Sequence, residues 1–223
     1  MNTLIMIPAH NEEDSLFQTV EGLRRCCPNQ DFLVVNDGST DRTAQICRDH
    51  GYPLLDLPRQ RGLAGAFRAG MTYAWQQGYD SMLQFDADGQ HDPRYIVAMQ
   101  KAMKEERLDV VIGARYPLAP RPRDARRLGE AILSWAIRRA TGRTLFDPTS
   151  GMRLYNRRVM AAFLRHPGYR PEPDTLVRLM RAGARIGEVP VVMHDRQFGK
   201  SYLVLRRAAF YMLDMCVSIL KQV

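Results

Sequence analysis

Short apolar runs alternate with helix-compatible stretches through the first half of this chain, and that alternation narrows the possible folds more than any other feature. Strand-like runs fall at Thr3–Ile7, Phe32–Val35, Pro53–Leu57, Ser81–Phe85 and Asp109–Ile112. Between them, Glu12–Cys26, Thr40–Asp49, Leu63–Gln77 and Pro93–Glu105 are helix-compatible. Strands and helices in short succession require crossover connections, hence parallel pairing, with helices on both faces of one sheet. The class read from this pattern is α/β and doubly wound. Such sheets bind ligands beyond the carboxyl ends of their strands, where the strand order reverses. The polar loops Pro8–Glu12, Asn36–Asp41 and Asp86–Gln90 each follow a strand and are expected to converge there.

Past about Arg115 the pattern changes. Residues 115–127 are rich in Pro and Arg and read as a loop, and Leu128–Thr141 reads as an amphipathic helix. Asp147–Tyr155 carries turn and strand signals, Thr175–Arg181 is helical, Arg185–Met193 is a strand and Val204–Gln222 a closing helix. A length of 223 residues is enough for one large core. The four cysteines, at positions 26, 27, 47 and 216, form no Cys-x-x-Cys pair, so neither a zinc ribbon nor a disulfide framework is expected and a reducing, cytoplasmic setting is the simpler reading. No basic region precedes the first apolar run, and no stretch is long and apolar enough to span a bilayer, so neither a signal peptide nor a membrane span is expected.

Charge separates the two halves. Residues 1–111 hold 11 Lys+Arg against 16 Asp+Glu, whereas residues 112–223 hold 21 against 8, almost all of the basic groups being arginine. Basic surfaces attract phosphate, in nucleic acid, lipid headgroups or small substrates. No helix-turn-helix, zinc finger or RNA-binding sheet motif is present, which argues against nucleic acid. Phosphate-bearing substrates and a membrane surface remain.

Asp86-Ala87-Asp88-Gly89-Gln90 carries the most chemistry. Two carboxylates one residue apart at a strand end can hold a hard divalent cation, which binds through one or two carboxylates plus substrate phosphates. Two acids beside a turn also occur in ordinary solvated loops, so the pair alone decides nothing. In Asn36-Asp37-Gly38-Ser39-Thr40-Asp41, Gly38 permits a tight turn and Ser39, Thr40 or Asp41 can cap the next helix. Asp37 lies at the strand end without a capping duty, placed to accept hydrogen bonds from a base or ribose. Asn11 can cap the first helix, with Glu12 and Glu13 favoured near its positive end.

Together, Pro8-Ala9-His10-Asn11-Glu12, Val34–Asp41, Arg61-Gly62 with Gly65 and Gly70, and Asp86–His91 resemble the family 2 glycosyltransferases. Asp147–Tyr155 and Arg196-Gln197-Phe198-Gly199-Lys200-Ser201 are similar to the dolichol-phosphate-mannose-synthase-like branch. The resemblance covers nearly the whole chain and implies a glycosyltransferase A-type fold and inverting transfer from a nucleotide sugar. It implies a base and ribose pocket lined by Pro8, Asn11, Glu12 and Asp37, with Ser39 and Gly62 also on the donor. Asp86, Asp88 and Gln90 would surround Mg²⁺ or Mn²⁺ and the pyrophosphate, with Asp88 and Arg196 in the chemistry and Arg196, Lys200 and Ser201 closing over the diphosphate. On this reading, 1–202 is the transferase domain, 1–114 its nucleotide-sugar half and 115–202 its acceptor half, and 203–223 is an amphipathic helix.

A hydroxyl acceptor would need a general base, which Asp174 or Glu172 could supply, although both also suit a helix start. A lipid phosphate is already an anionic nucleophile. Arg115, Arg121, Arg123, Arg126 and Arg127 could cradle its phosphate or meet anionic lipid. The expected reaction moves a sugar from a UDP- or GDP-sugar to a polyprenyl phosphate or lipid-linked glycan at the inner membrane face, through peripheral contact or a small membrane protein partner. Transfer to a soluble saccharide hydroxyl is the alternative. A nucleotidyltransferase usually has a Gly-rich basic loop after the first strand, which Pro8–Glu12 does not offer, and the intact Asp86/Asp88 pair with the Arg196–Ser201 segment argues against a non-catalytic nucleotide-sugar scaffold.

Overall fold

The computed structural model describes residues 1–115, 125–194 and 205–221. In chain order the elements are β1 (Thr3–Ala9), α1 (Leu16–Cys26), β2 (Asp31–Asn36), α2 (Thr43–Asp49), β3 (Leu54–Asp56), α3 (Gly62–Gln76), β4 (Ser81–Gln84), a 3-10 turn at Pro93–Tyr95, α4 (Ile96–Glu105) and β5 (Val110–Ala114). Then follow α5 (Ala125–Thr141), β6 (Arg153–Asn156), α6 (Arg157–Arg165), α7 (Pro173–Arg181), β7 (Ile186–Pro190) and α8 (Leu205–Leu220).

The strands form one sheet in the order β3-β2-β1-β4-β6-β5-β7. Side-chain alternation along its strands divides the core into two layers. Leu4, Met6, Leu33, Val35, Met82, Val110, Ile112 and Tyr155 face one side, where buried residues of α3, α5, α6, α7 and α8 cover them. Ile5, Ile7, Val34, Leu83, Val111 and Leu154 face the other, under α1 and α4 with Cys47 of α2. Pro8 lies beyond the last β1–β4 pair, Met6↔Gln84, where its missing N–H leaves no ladder bond unmade.

The doubly wound, mostly parallel expectation holds with one insertion. β6 runs antiparallel between β4 and β5, pairing Gln84↔Arg153 and Ile112↔Arg153, while β5 pairs with β7 in parallel. The reversal brings the segment before β6 to the edge where β4 and β5 end. The order also reverses between β1 and β4, which places the binding edge beside both of their loops.

Local boundaries shift for identifiable reasons. Helix α1 starts at Leu16 rather than Glu12, because Asn11 is left-handed at φ 55° and the chain turns before the helix begins. Helix α2 starts at Thr43 rather than Thr40, and Asp41 Oδ1 accepts from the Thr43 amide at 2.9 Å. Helix α6 is a further element that the apolar runs did not announce. Asn156 caps it by accepting from the Val159 amide at 3.0 Å, and Val159, Met160 and Phe163 bury its inner face. In α8, Met215, Cys216 and Ile219 point inward, whereas Val217 and Leu220 are exposed. Among the described residues no helix is long and apolar enough to cross a membrane.

Candidate active site

The loops after β1 and β2 are laced together. The Asn11 amide donates to Ser39 Oγ at 3.0 Å, and the Thr40 amide donates back to Asn11 Oδ1 at 2.8 Å. The Glu12 amide donates to Thr43 Oγ1 at 2.8 Å and the Glu13 amide to Asp41 Oδ2 at 3.1 Å. Asn11 is therefore a bridge between loops rather than the helix cap expected of it. Asparagine tolerates the left-handed backbone this requires better than most residues. His10 Nδ1 donates to the Asp37 carbonyl at 3.0 Å.

Asp37 is buried, and its Oδ1 accepts the Arg61 amide at 2.7 Å, just ahead of Gly62 at the start of α3. Gly38 has φ 62°, and a Cβ there would stand 2.5 Å from the Gln60 backbone nitrogen, so only glycine lets these two loops touch. Sequence reasoning assigns Asp37 no capping duty; its structural duty is to fix the entry to α3. Asn11, Glu12, Asp37 and Ser39 thus lie in connected loops at the sheet edge, between Pro8 near the end of β1 and Gly62 at the start of α3.

The second wall is the loop after β4. Gln84 Nε2 donates to Asp86 Oδ1 at 2.9 Å, and the Asp86 amide donates to His91 Nδ1 at 2.9 Å. Nδ1 is then the acceptor, so neutral His91 carries its proton on Nε2, which lies 3.6 Å from Asp86 Oδ2. Behind the same carboxylate oxygen stands Gly151, where a Cβ would come within 2.5 Å of Oδ2. Asp88 is 4% exposed and its Oδ1 accepts the Gln90 amide at 3.1 Å. Thr19 of α1 donates to the Ala87 carbonyl at 2.9 Å and ties the loop down from below.

Among the described residues no group of three or more His, Cys, Asp or Glu side chains could hold a metal. The donor set at this edge is two carboxylates and the Gln90 carboxamide, with His91 committed to the Asp86 amide. An all-oxygen pair of this kind fits a hard cation that takes its other ligands from water and phosphate, and does not fit zinc.

The segment after β7 reaches the same loop. His91 bridges to Met193, the His194 amide donates to the Gln90 carbonyl at 2.9 Å, and Gln90 Nε2 lies 3.4 Å from the His194 carbonyl. Arg196, Lys200 and Ser201 follow in sequence but lie outside the described residues, as do Arg121 and Arg123. Arg126 and Arg127 are in α5, with side chains also outside that set.

Arg115 does not project as a free phosphate cradle. Its Nε and Nη2 donate to the two oxygens of Asp147, each at 2.7 Å, and its amide donates to Oδ2 at 2.9 Å. Burial pushes the Asp147 carboxyl up, but these bonds and the guanidinium charge outweigh it, and the group ends below the usual carboxylate range. Glu188 accepts the Phe146 and Asp147 amides, both at 2.8 Å, while burial raises its own carboxyl. Buried Arg153 donates to the Ser150 and Pro148 carbonyls at 2.8 and 2.7 Å. The turn that delivers Gly151 to Asp86 is thereby held from three sides.

Glu172 and Asp174 open α7 and line a different hollow, a cavity of about 320 Å³ shared with Arg170, Asp214, Ser218 and Lys221. Asp174 Oδ2 accepts from Ser218 Oγ of α8 at 3.0 Å and lies 3.6 Å from Arg178 Nη2. Burial first, then the neighbouring Asp174, raises the Glu172 carboxyl. Neither side chain caps α7 by a hydrogen bond to its backbone.

Gln84, His91, Gly151, Arg153 and Glu188 are the residues that sequence reasoning did not single out. His91 and Gly151 stood inside recognised motifs, but only the antiparallel β6 puts one beside the other.

Residues 4–164 match the family model of glycosyl transferase family 2. Undecaprenyl-phosphate mannosyltransferase of Micrococcus luteus is 33% identical, over 90% of this chain and 87% of that protein. Polyprenol monophosphomannose synthase of Mycolicibacterium smegmatis is 29% identical, over 89% and 80%. Glucosyl-3-phosphoglycerate synthase from Mycobacterium tuberculosis, in complex with Mn²⁺, UDP-glucose and phosphoglyceric acid, has a TM-score of 0.73 at 18% identity, covering 99% of this chain and 79% of that one. That likeness shows the glycosyltransferase A-type fold.

Proposed function

The chain belongs to glycosyl transferase family 2 and is a glycosyltransferase, and from that premise we propose that it moves a sugar with inversion from a UDP- or GDP-sugar to a polyprenyl phosphate at the inner face of a membrane. The observation that carries the reading is the Asp86–Asp88 pair at the reversal point between β1 and β4, next to the interlaced loops of Asn11 and Asp37. The lipid-phosphate acceptor follows from the named activities of the relatives.

Pro8, Asn11, Glu12, Asp37, Ser39 and Gly62 form the base and ribose side. Asp86 and Asp88, with Gln90, would hold Mg²⁺ or Mn²⁺, which would neutralise the pyrophosphate and improve it as a leaving group. The hydrogen bonds between His194 and Gln90 hold the segment after β7 against this loop. Arg196, Lys200 and Ser201, outside the described residues, are the groups assigned to close over the diphosphate. An acceptor phosphate oxygen forms the new bond to the anomeric carbon as the bond to the diphosphate breaks. The electron pair of that bond leaves on the nucleotide, where cationic side chains stabilise it. A phosphate acceptor arrives already ionised and asks for no base.

Transfer to a saccharide hydroxyl with Asp174 as base is the second reading; the raised Glu172 carboxyl beside it suits a proton acceptor, but the pair lines a hollow apart from the Asp86–Asp88 loop. Asp174→Asn separates the two. It leaves transfer to a lipid phosphate within a few-fold of wild type, whereas a hydroxyl acceptor would lose about 10²–10⁴-fold.

The deciding experiment is a thermal-shift titration with UDP and GDP, each with and without Mn²⁺, on wild type and Asp88→Ala. A ligand at a hundred times its Kd stabilises by about 2.7 kcal/mol. Wild type should show a metal-dependent shift with one nucleotide. Asp88→Ala should melt like wild type without ligand, lose that shift and lose turnover by roughly a thousandfold. Metal-dependent turnover surviving in the variant would refute the assignment.

A further inference from the structure

Helix α5 turns an unusual face outward. Trp135 is 58% exposed and Ile132 39%, one turn apart, while Leu133, Ala136 and Ile137 on the opposite side are fully buried. One turn beyond Trp135, Arg138 and Arg139 are both exposed, and Arg143 is exposed just past the helix end. From Ala131 to Phe146 the sequence contains no acidic residue. Among the described residues none of these three arginines makes an ion pair.

Cations in the last turn suit the helix dipole, which accounts for Arg138 and Arg139 by themselves. It does not account for a tryptophan in water. The chain's other tryptophan, Trp75, is partly buried and has the Arg157 guanidinium 4.1 Å from its ring centroid. An exposed apolar pair with an indole, followed by arginines in a stretch with no acidic residue from Ala131 to Phe146, matches the boundary of an anionic bilayer. There indole sits at headgroup depth and arginine meets lipid phosphate. A second copy docked on the same face would bring arginines against arginines.

We propose that the outward face of α5, made by Ile132, Trp135, Arg138 and Arg139, docks on an anionic lipid surface. The inference rests on the reading that the acceptor is a lipid phosphate, and it says how a chain without a spanning helix among its described residues meets that substrate. The Trp135 ring enters the interface and the two arginines set the preference for negative lipid.

The test follows tryptophan emission of the full chain on vesicles of phosphatidylcholine alone, or mixed equally with phosphatidylglycerol. Emission should move to shorter wavelength only with the mixed vesicles, and the move should vanish in Trp135→Phe, which leaves Trp75 as sole reporter. Arg138→Gln with Arg139→Gln should weaken partitioning roughly thirtyfold, about fivefold per charge, and high salt should do the same. Emission that is unmoved by anionic vesicles, or equal partitioning of the arginine variant, overturns the proposal. So does a dimer in sedimentation that Trp135→Gln dissociates, since a second copy would then cover the face. Transfer to polyprenyl phosphate in detergent micelles, together with the nucleotide thermal shift, tests the catalytic reading separately. If both persist while the vesicle arm fails, only the docking face is lost.

Discussion

Replacing Gly151 by alanine should cut turnover about a hundredfold and abolish the metal-dependent nucleotide shift, with the melting temperature of the free protein little changed. The new Cβ would stand 2.5 Å from Asp86 Oδ2, closer than real Cβ contacts occur. The carboxylate cannot withdraw in place, because Gln84 Nε2 holds its other oxygen and the Asp86 amide is bound to His91. It must rotate or drag the loop after β4 with it. A displacement of about 1 Å at a reacting centre costs on the order of 10²-fold in rate. Gly22→Ala is the control: its Cβ meets nothing within 4 Å, and in a helix interior alanine should stabilise by up to about 1 kcal/mol. Titrating Mn²⁺ by its spin-resonance signal in the presence of nucleotide reads the effect without turnover. Wild-type Mn²⁺ affinity in Gly151→Ala would show that the glycine does not set the Asp86 geometry.

The second large effect is on stability. Arg115→Ala strips the cation from Asp147, whose side chain is 1% exposed in the pair. Removing one partner of a buried ion pair costs about 3–5 kcal/mol, which for a chain of this size lowers the melting temperature by about 10 °C. The pH dependence has a definite sign. In wild type the Asp147 carboxyl lies below its ordinary value, because the Arg115 bonds outweigh burial. That contribution is present above the unfolded pKa of about 4 and is lost as pH falls through the lower folded value. Without the Arg115 side chain the residue-115 amide and Thr149 still bond the carboxylate, but burial, the largest influence on it, moves the folded carboxyl up, and stability is lost as pH rises. The gap between variant and wild type should therefore be widest near neutrality and close below about pH 4. Thermal melts at both ends of that range decide it. A constant gap would place the loss in packing of the Arg115 stem instead. Arg115→Lys should recover only part of the difference, because a single ammonium cannot reproduce the two parallel bonds to Asp147.

Much of the site lies within short sequence distance, and that is why it could be read early. Asp86, Asp88 and Gln90 sit in one loop, Asn36 to Asp41 in another, and each follows an apolar run whose strand character is a local property. Alternating strands and helices dictated a sheet covered on both faces, and strand direction then put the three loops on one edge. Those statements need only local propensity, side-chain periodicity and the handedness of crossovers.

What the tertiary structure alone decided depends on strand order and on pairs distant in sequence. Nothing in Arg153–Asn156 states that it runs backward between β4 and β5, since an isolated strand reads the same in either direction. From that one reversal follow the Gly151 wall behind Asp86, the Arg115–Asp147 pair and the Glu188 anchor. The same holds for Asn11, which local rules made a helix cap and the neighbouring loop made a bridge. Asp174 opens α7, as its sequence suits, but the partner of its carboxylate, Ser218 on the last helix, was set by packing. A residue's chemistry and its local backbone are inherited from its neighbours in sequence. Its partner is set by whichever buried surface the closing sheet brings opposite, and that is a property of the whole chain.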